Sequence, residues 1–269
     1  MPPFEYLHHL VTVPVTVDGS VESRFVIDSG IGLTLLSASL ADAIGCAPTG
    51  ATFNGRRMSG QEVAVSLAAP TTLAFGGLER TDDRVGIFDT SGFPPDFAGI
   101  GGFLSLAFFD ETAFTVDYPN GVVELETPET LTGRVRNGRV VYVRVERDGP
   151  SVTFHLPLTL PDGRSIDVEV DMGSGALILD ERLAPELGIE LDDPRVRRVD
   201  GTDETGHTYM RSFTVLAGSI HPTGAPELVQ KDPEVMFQRI IYGGLVGDEF
   251  LRRFAVTFDV DGGRMIFAV

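Results

Sequence analysis

The sequence contains no tryptophan and one cysteine, Cys46, in 269 residues. A single cysteine allows no intrachain disulfide and no cysteine-built metal cage. No histidine lies near Cys46 in sequence to activate it, so it reads as a structural thiol at a helix end rather than a nucleophile. Basic residues are scarce, 21 against 39 acids, for a net charge of −18. That balance argues against nucleic acid and anionic membrane as partners, since both require a basic surface. No apolar run reaches the ~20 residues needed to span a bilayer. The start, Met1 to Tyr6, lacks the basic and apolar regions of a secretory signal, so a cytoplasmic protein is the expectation. His8 and His9 are adjacent and face opposite sides of a strand. No metal and no cofactor are expected.

What the chain has is a repeat of itself. Displacing the sequence by 143 residues aligns Val13 to Gly45 with Leu156 to Gly188 without a gap. Nine of those 33 positions are identical, among them Asp28/Asp171, Gly30/Gly173, Gly32/Gly175 and Gly45/Gly188; composition alone gives roughly two. Each half also closes alike. Gly99-Ile100-Gly101-Gly102 aligns with Gly244-Leu245-Val246-Gly247 at an offset of 145, and Phe114 to Gly121 aligns with Val256 to Gly263. The latter pair reads as two strand–turn–strand hairpins with Asn-Gly and Gly-Gly turns.

Short apolar segments punctuated by 31 glycines and 17 prolines predict an all-β protein. Two short helices interrupt it, Ala38 to Ile44 capped by Ser37 and Glu181 to Leu187 capped by Asp180, each stopped by a glycine. The expected halves are residues 1–128 and 129–269, joined by a polar, turn-rich linker near Glu126 to Gly138.

Within each repeat an apolar strand ends in Asp-x-Gly: Phe25-Val26-Ile27-Asp28-Ser29-Gly30 and Val168-Glu169-Val170-Asp171-Met172-Gly173. A pseudo-two-fold axis brings two such aspartates face to face. These segments resemble the retropepsin-like and pepsin-like aspartic peptidases, whose motif is apolar-apolar-Asp-Thr/Ser-Gly, and in particular bacterial chains carrying two units in one polypeptide. The resemblance implies a two-lobed β-barrel fold and an aspartic endopeptidase acting on a peptide or protein substrate. It implies Asp28 and Asp171 as the catalytic pair, with Ser29, Gly30, Gly173 and Ser174 supporting it, in a monomeric active unit. Two close carboxylates cannot both ionise cheaply, so one would hold a proton while the other activates water.

The resemblance also implies an apolar-apolar-Gly segment behind each aspartate. Leu245-Val246-Gly247 fits; Ile100-Gly101-Gly102 departs at Gly101. Met172 lacks the hydroxyl by which the residue after the aspartate grips the opposite lobe, and Ile31 is bulkier than usual. A Ser174 hydroxyl beside Asp171, against apolar Ile31 beside Asp28, leads to the expectation that Asp28 holds the shared proton. Candidate substrate-covering hairpins turn at Met58-Ser59-Gly60 and near Thr205-Gly206, the second with Tyr209. Arg56 and Arg57 in the first suit acidic substrates. Two other readings share this sequence: a pseudopeptidase that binds peptides without turnover, and an assembly protein that keeps only the fold.

Overall fold

The computed structural model describes residues 2–82, 84–202 and 206–268. The first half contributes twelve strands: β1 (Glu5–Leu7), β2 (Leu10–Val17), β3 (Val21–Ile27), β4 (Leu35–Ser37), β5 (Pro48–Arg56), β6 (Glu62–Ala68), β7 (Thr71–Phe75), β8 (Leu78–Asp82), β9 (Gly86–Phe88), β10 (Ile100–Leu104), β11 (Phe114–Asp117) and β12 (Val122–Leu125). The second contributes β13 (Arg139–Tyr142), β14 (Arg144–Asp148), β15 (Ser151–Thr159), β16 (Ser165–Val170), β17 (Leu177–Asp180), β18 (Arg197–Thr202), β19 (Thr208–Val215), β20 (Ser219–Pro222), β21 (Gln230–Lys231), β22 (Glu234–Gln238), β23 (Gly244–Val246), β24 (Ala255–Asp259) and β25 (Arg264–Ala268).

Two ten-stranded sheets result. One runs β5-β6-β9-β4-β10-β3-β2-β7-β8, with β1 beside β2; the other runs β18-β19-β22-β17-β23-β16-β15-β20-β21, with β14 beside β15. Adding thirteen to every strand number converts the first order into the second. The internal repeat is therefore a repeat of topology as well as of sequence.

A third sheet, β12-β11-β24-β25-β13, draws strands from both halves. At its centre β11 and β24 pair antiparallel with Thr115 opposite Thr257, and their hydroxyls are hydrogen-bonded at 2.7 Å. The ring of Phe114 stacks on Phe109 at 3.9 Å and on Phe258 at 4.9 Å, so the main core runs unbroken from one half into the other.

The first short helix, α1 (Ala38–Ile44), forms as expected: Ser37 accepts from the Leu40 N–H, and Gly45 ends it in the left-handed region. Its counterpart is different. Residues 181–187 make two 3₁₀ turns, Glu181–Leu183 and Pro185–Leu187. Pro185 has no N–H to donate and breaks the helix that the sequence pattern predicts. The linker also departs from expectation. It is a ten-residue helix, α2 (Pro128–Asn137), started by a reciprocal Thr127/Thr130 capping box with Pro128 at the first helical position; both features favour helix initiation over a turn. One further short helix, α3 (Asp248–Leu251), follows β23. Among the described residues no helix is long and apolar enough to cross a membrane.

Candidate active site

Each aspartate follows a central strand, β3 or β16, and each is fixed by the strand beside it. The Asp28 N–H donates to the Leu104 carbonyl at 2.9 Å, and the Asp171 N–H to the Val246 carbonyl at 3.0 Å. These matched bonds relate β10 to β23 by 142 residues, not 145. Gly102 and Gly244 confirm that register, because each packs on a backbone carbonyl, Leu35 O and Ile178 O respectively, where a Cβ has no room. The first-half counterpart of Leu245-Val246-Gly247 is thus Phe103-Leu104-Ser105. The glycine run aligns at 145 only in sequence, since β10 shifts register between Ile100 and Gly102. Gly101 does not sit behind the aspartate; it packs on Ser23 and Leu40.

The Asp-x-Gly turns bring the two carboxyl groups together, each against the glycine of the opposite turn and each acting on the ionisation of the other. Within each turn the glycine N–H returns to its own aspartate, Gly30 to Asp28 at 2.9 Å and Gly173 to Asp171 at 2.8 Å. Each glycine also faces the opposite aspartate. A Cβ on Gly30 would lie 2.3 Å from Asp171 Oδ1, and one on Gly173 would lie 2.5 Å from Asp28 Oδ2. Glycine is required at both positions by this close approach rather than by backbone angle.

The grip between the turns is one-sided. Ser29 Oγ donates to the Val170 carbonyl at 2.6 Å and accepts from the Met172 N–H at 3.0 Å. Met172 offers no hydroxyl in return and is packed in the main core, 2% exposed. His9 supplies a cross-lobe contact that sequence reading missed: its Nε2 lies 3.0 Å from the Gly173 carbonyl, and its ring covers Gly175. Gly32, the repeat partner of Gly175, is covered likewise by Ser151 from the other half. The identities Gly32/Gly175 were the available signal, but nothing in the sequence named what covers them.

Residues 13–104 match the profile of a family described as aspartyl protease. A solved structure described as "Crystal structure of edgp" is similar at a TM-score of 0.55 and 10% sequence identity, over 99% of this chain and 94% of that one. The fold is the two-lobed acid-protease fold. No curated protein matches the sequence.

Within this acid-protease fold, the surroundings of the two carboxyls differ in a way the side chains of Ile31 and Ser174 do not account for. Burial raises both carboxyls, and the Asp28 charge adds to it at Asp171, which is lifted well above the usual carboxylate range. Asp28 is also raised by burial, but the N–H groups of Gly30, Ile31 and Gly173 and the Asp171 hydroxyl favour its charged form. These surroundings favour charge on Asp28 over charge on Asp171. At Ile31 it is the backbone N–H, not the apolar side chain, that acts on Asp28. Ser174 was read for its hydroxyl, yet that hydroxyl donates to the Ala176 carbonyl at 3.3 Å; only the Ser174 N–H serves Asp171.

The β5–β6 hairpin turns through Met58-Ser59-Gly60, with Gly60 at φ 84°. Its tip reaches the second lobe: the Ile241 N–H donates to the Met58 carbonyl at 2.9 Å, and Met58 packs against the cluster of Ile178, Met236, Ile240 and Leu245. The β18–β19 hairpin is present too, pairing Thr202 with Thr208. Gly206 has φ 81°, whereas Thr205 lies outside the described residues. Tyr209 is stacked beneath the Arg211 guanidinium at 3.8 Å. Among the described residues no group of three or more acidic, histidine or cysteine side chains is arranged to hold a metal ion.

Proposed function

We propose that the protein is an aspartic endopeptidase in which Asp28 and Asp171 hydrolyse peptide bonds without a covalent intermediate. Ionised Asp28 takes a proton from a water held between the carboxyls, and that water attacks the scissile carbonyl carbon. Protonated Asp171 gives its proton to the carbonyl oxygen. Collapse of the tetrahedral species returns a proton to the departing amine. The observation that carries this reading is the close approach of two carboxyl groups, each held by its own glycine N–H and set against the glycine of the opposite, symmetry-matched turn. Both groups belong to one chain, so a monomer with lobes 1–128 and 129–269 is the proposed active unit and a peptide or protein its substrate.

The test is cleavage of a mixed peptide library by the wild type beside Asp28→Asn and Asp171→Asn. Each variant should fold and lose cleavage, because each removes a different proton-transfer role. Equal cleavage by all three proteins would assign the activity elsewhere. A second reading, a peptide-binding pseudopeptidase, is favoured by the hairpin tip bonded across to Ile241 and by the thioether where the second grip hydroxyl would be. Peptide binding with no cleavage at any pH would select it.

A further inference from the structure

Two side-chain layers lie beneath the hairpins, one per lobe, and they differ in character. In the first lobe Val26, two residues before Asp28, packs with Leu10, Leu33, Leu35, Ile100 and Phe103, and partly exposed Phe53, Phe88, Phe93 and Phe97 complete the layer. The second-lobe layer is built from Ile178, Met236, Ile240 and Leu245, with Met58, Phe213 and Tyr242. The repeat partner of Val26 there is Glu169. Residues two apart on a strand share a face, so Glu169 points to the side from which Asp171 projects. It is 4% exposed.

The surroundings of Glu169 are polar where those of Val26 are not. Tyr242 hydrogen-bonds to it. His155 is its neighbour across the β15–β16 ladder, and Glu146 on β14 lies 3.2 Å from His155 Nε2. The charge of the dyad and that of Glu146 add negative potential at Glu169. Two cations lie near. Arg144 is bound to Glu146 at 2.6 Å. Arg56, on the hairpin beside Tyr242, is 62% exposed and faces Glu62 at 3.7 Å. The chain as a whole carries −18, which draws cationic peptides toward it.

We propose that Glu169 is a specificity-determining residue: the second-lobe side of the cleft takes a lysine or arginine side chain adjoining the reacting bond, opposite an apolar or aromatic residue taken by the first-lobe layer. The inference rests on the peptidase reading for the reaction but not for the binding preference. A basic side chain enters as the Met58 turn lifts from Ile241, and its charge replaces the hydrogen on the Glu169 carboxyl. Burial and the neighbouring acids push Glu169 up to about 9 in the empty site, so at pH 7 it is neutral until a cation arrives. Pairing then releases a proton. Arg56 and Arg57 on the hairpin do not carry a preference for acidic substrates under this assignment.

Two measurements test it. The first is a library randomised on both sides of the cut. Lysine and arginine should be enriched at one flanking position for the wild type, and Glu169→Gln and Glu169→Val should lose that enrichment. The second is calorimetric binding of two non-hydrolysable reduced-amide peptides differing only in lysine against norleucine. The lysine peptide should bind roughly tenfold tighter and release about one proton at pH 7, read from two buffers of different ionisation heat. Both differences should vanish in Glu169→Gln. Cleavage that depends on Asp28 but ignores lysine and arginine would overturn the inference and leave the peptidase reading standing. Lysine-selective binding through Glu169 without cleavage would do the reverse. Equal affinity for the two peptides, or no binding of either, would sink the assignment of Glu169.

Discussion

Ser29 holds Met172, and Met172 does not hold Ser29. One hydroxyl serves both a carbonyl and an N–H of the opposite turn. Ser29→Ala should leave the Val170 carbonyl and the Met172 N–H without this partner in a buried place, at about 1–3 kcal/mol. Met172→Thr would add the missing hydroxyl, a net gain of about 0.5–1.5 kcal/mol, but shortens a side chain packed in the main core, a loss of similar or larger size. The expected outcome is a lower urea midpoint for both variants. A higher midpoint for Met172→Thr would mean that the core closes around the smaller residue.

Gly30→Ala and Gly173→Ala should each abolish activity while the protein remains folded. The added methyl group meets a carboxylate oxygen of the opposite lobe, so the pair must part or the turn must move. Misplacement of reacting groups by about 1 Å is enough to cost on the order of a hundredfold in rate. Cleavage assays beside circular dichroism would separate this effect from unfolding.

The pH dependence of cleavage should be a bell with both limbs above the ordinary carboxylate range. Activity needs the pair singly protonated, and burial raises both members, Asp171 further than Asp28. The limbs belong to the pair rather than to either residue. A profile that rises through pH 3 and has fallen by pH 5 would contradict the burial of the site.

Stability should fall as pH rises from about 4.5 to about 9, and Glu169→Gln should flatten part of that slope. The folded protein keeps the proton of Glu169 up to about 9, while the unfolded chain releases it near the ordinary glutamate value. The unfolded state thus binds fewer protons across that window, and stability is lost with rising pH at up to about 1.4 kcal/mol per unit per group. Urea melts at pH 5, 7 and 8.5 read it directly. An unchanged slope in the variant would place Glu169 in contact with water.

Weakening the Met58 turn should loosen the hairpin before it loosens anything else. Met58→Ala removes the packing against the second-lobe cluster but keeps the backbone bond to Ile241. Amides of residues 57–61 should exchange with deuterium faster, with those of β3 and β16 unchanged. Equal exchange throughout would show that the backbone bond alone secures the tip.

Much of this was legible in the sequence because it rests on backbone. The Asp28/Asp171 and Gly45/Gly188 coincidences report turns that only certain residues can make, and they located both Asp-x-Gly turns and both capped segments. The failures were of another kind. Gly99 to Gly102 looked like the partner of Gly244 to Gly247 because glycines align readily, yet register is decided by ladder bonds across the sheet. Ser174 and Ile31 were judged by their side chains, whereas their N–H groups face the carboxyls. His9 lies 164 residues from the carbonyl it meets, and no local pattern encodes such a contact. Pro185 was visible in the sequence but was outweighed by the repeat with α1.

The sheet shared by the halves sets the order in which the site can come into being during synthesis. The first lobe emerges with Asp28 in place, but β11 then presents an open edge where β24 will lie, and Asp28 has no counterpart. Strands β24 and β25 with the turn between them are the last fourteen residues described, 255–268. Domains generally fold from the N-terminus as the chain is made. A nascent chain still short of β24 therefore carries an unclosed sheet between its halves. Neither half alone holds the pair, and a truncation before residue 255 removes the strand that pairs with β11 across the halves.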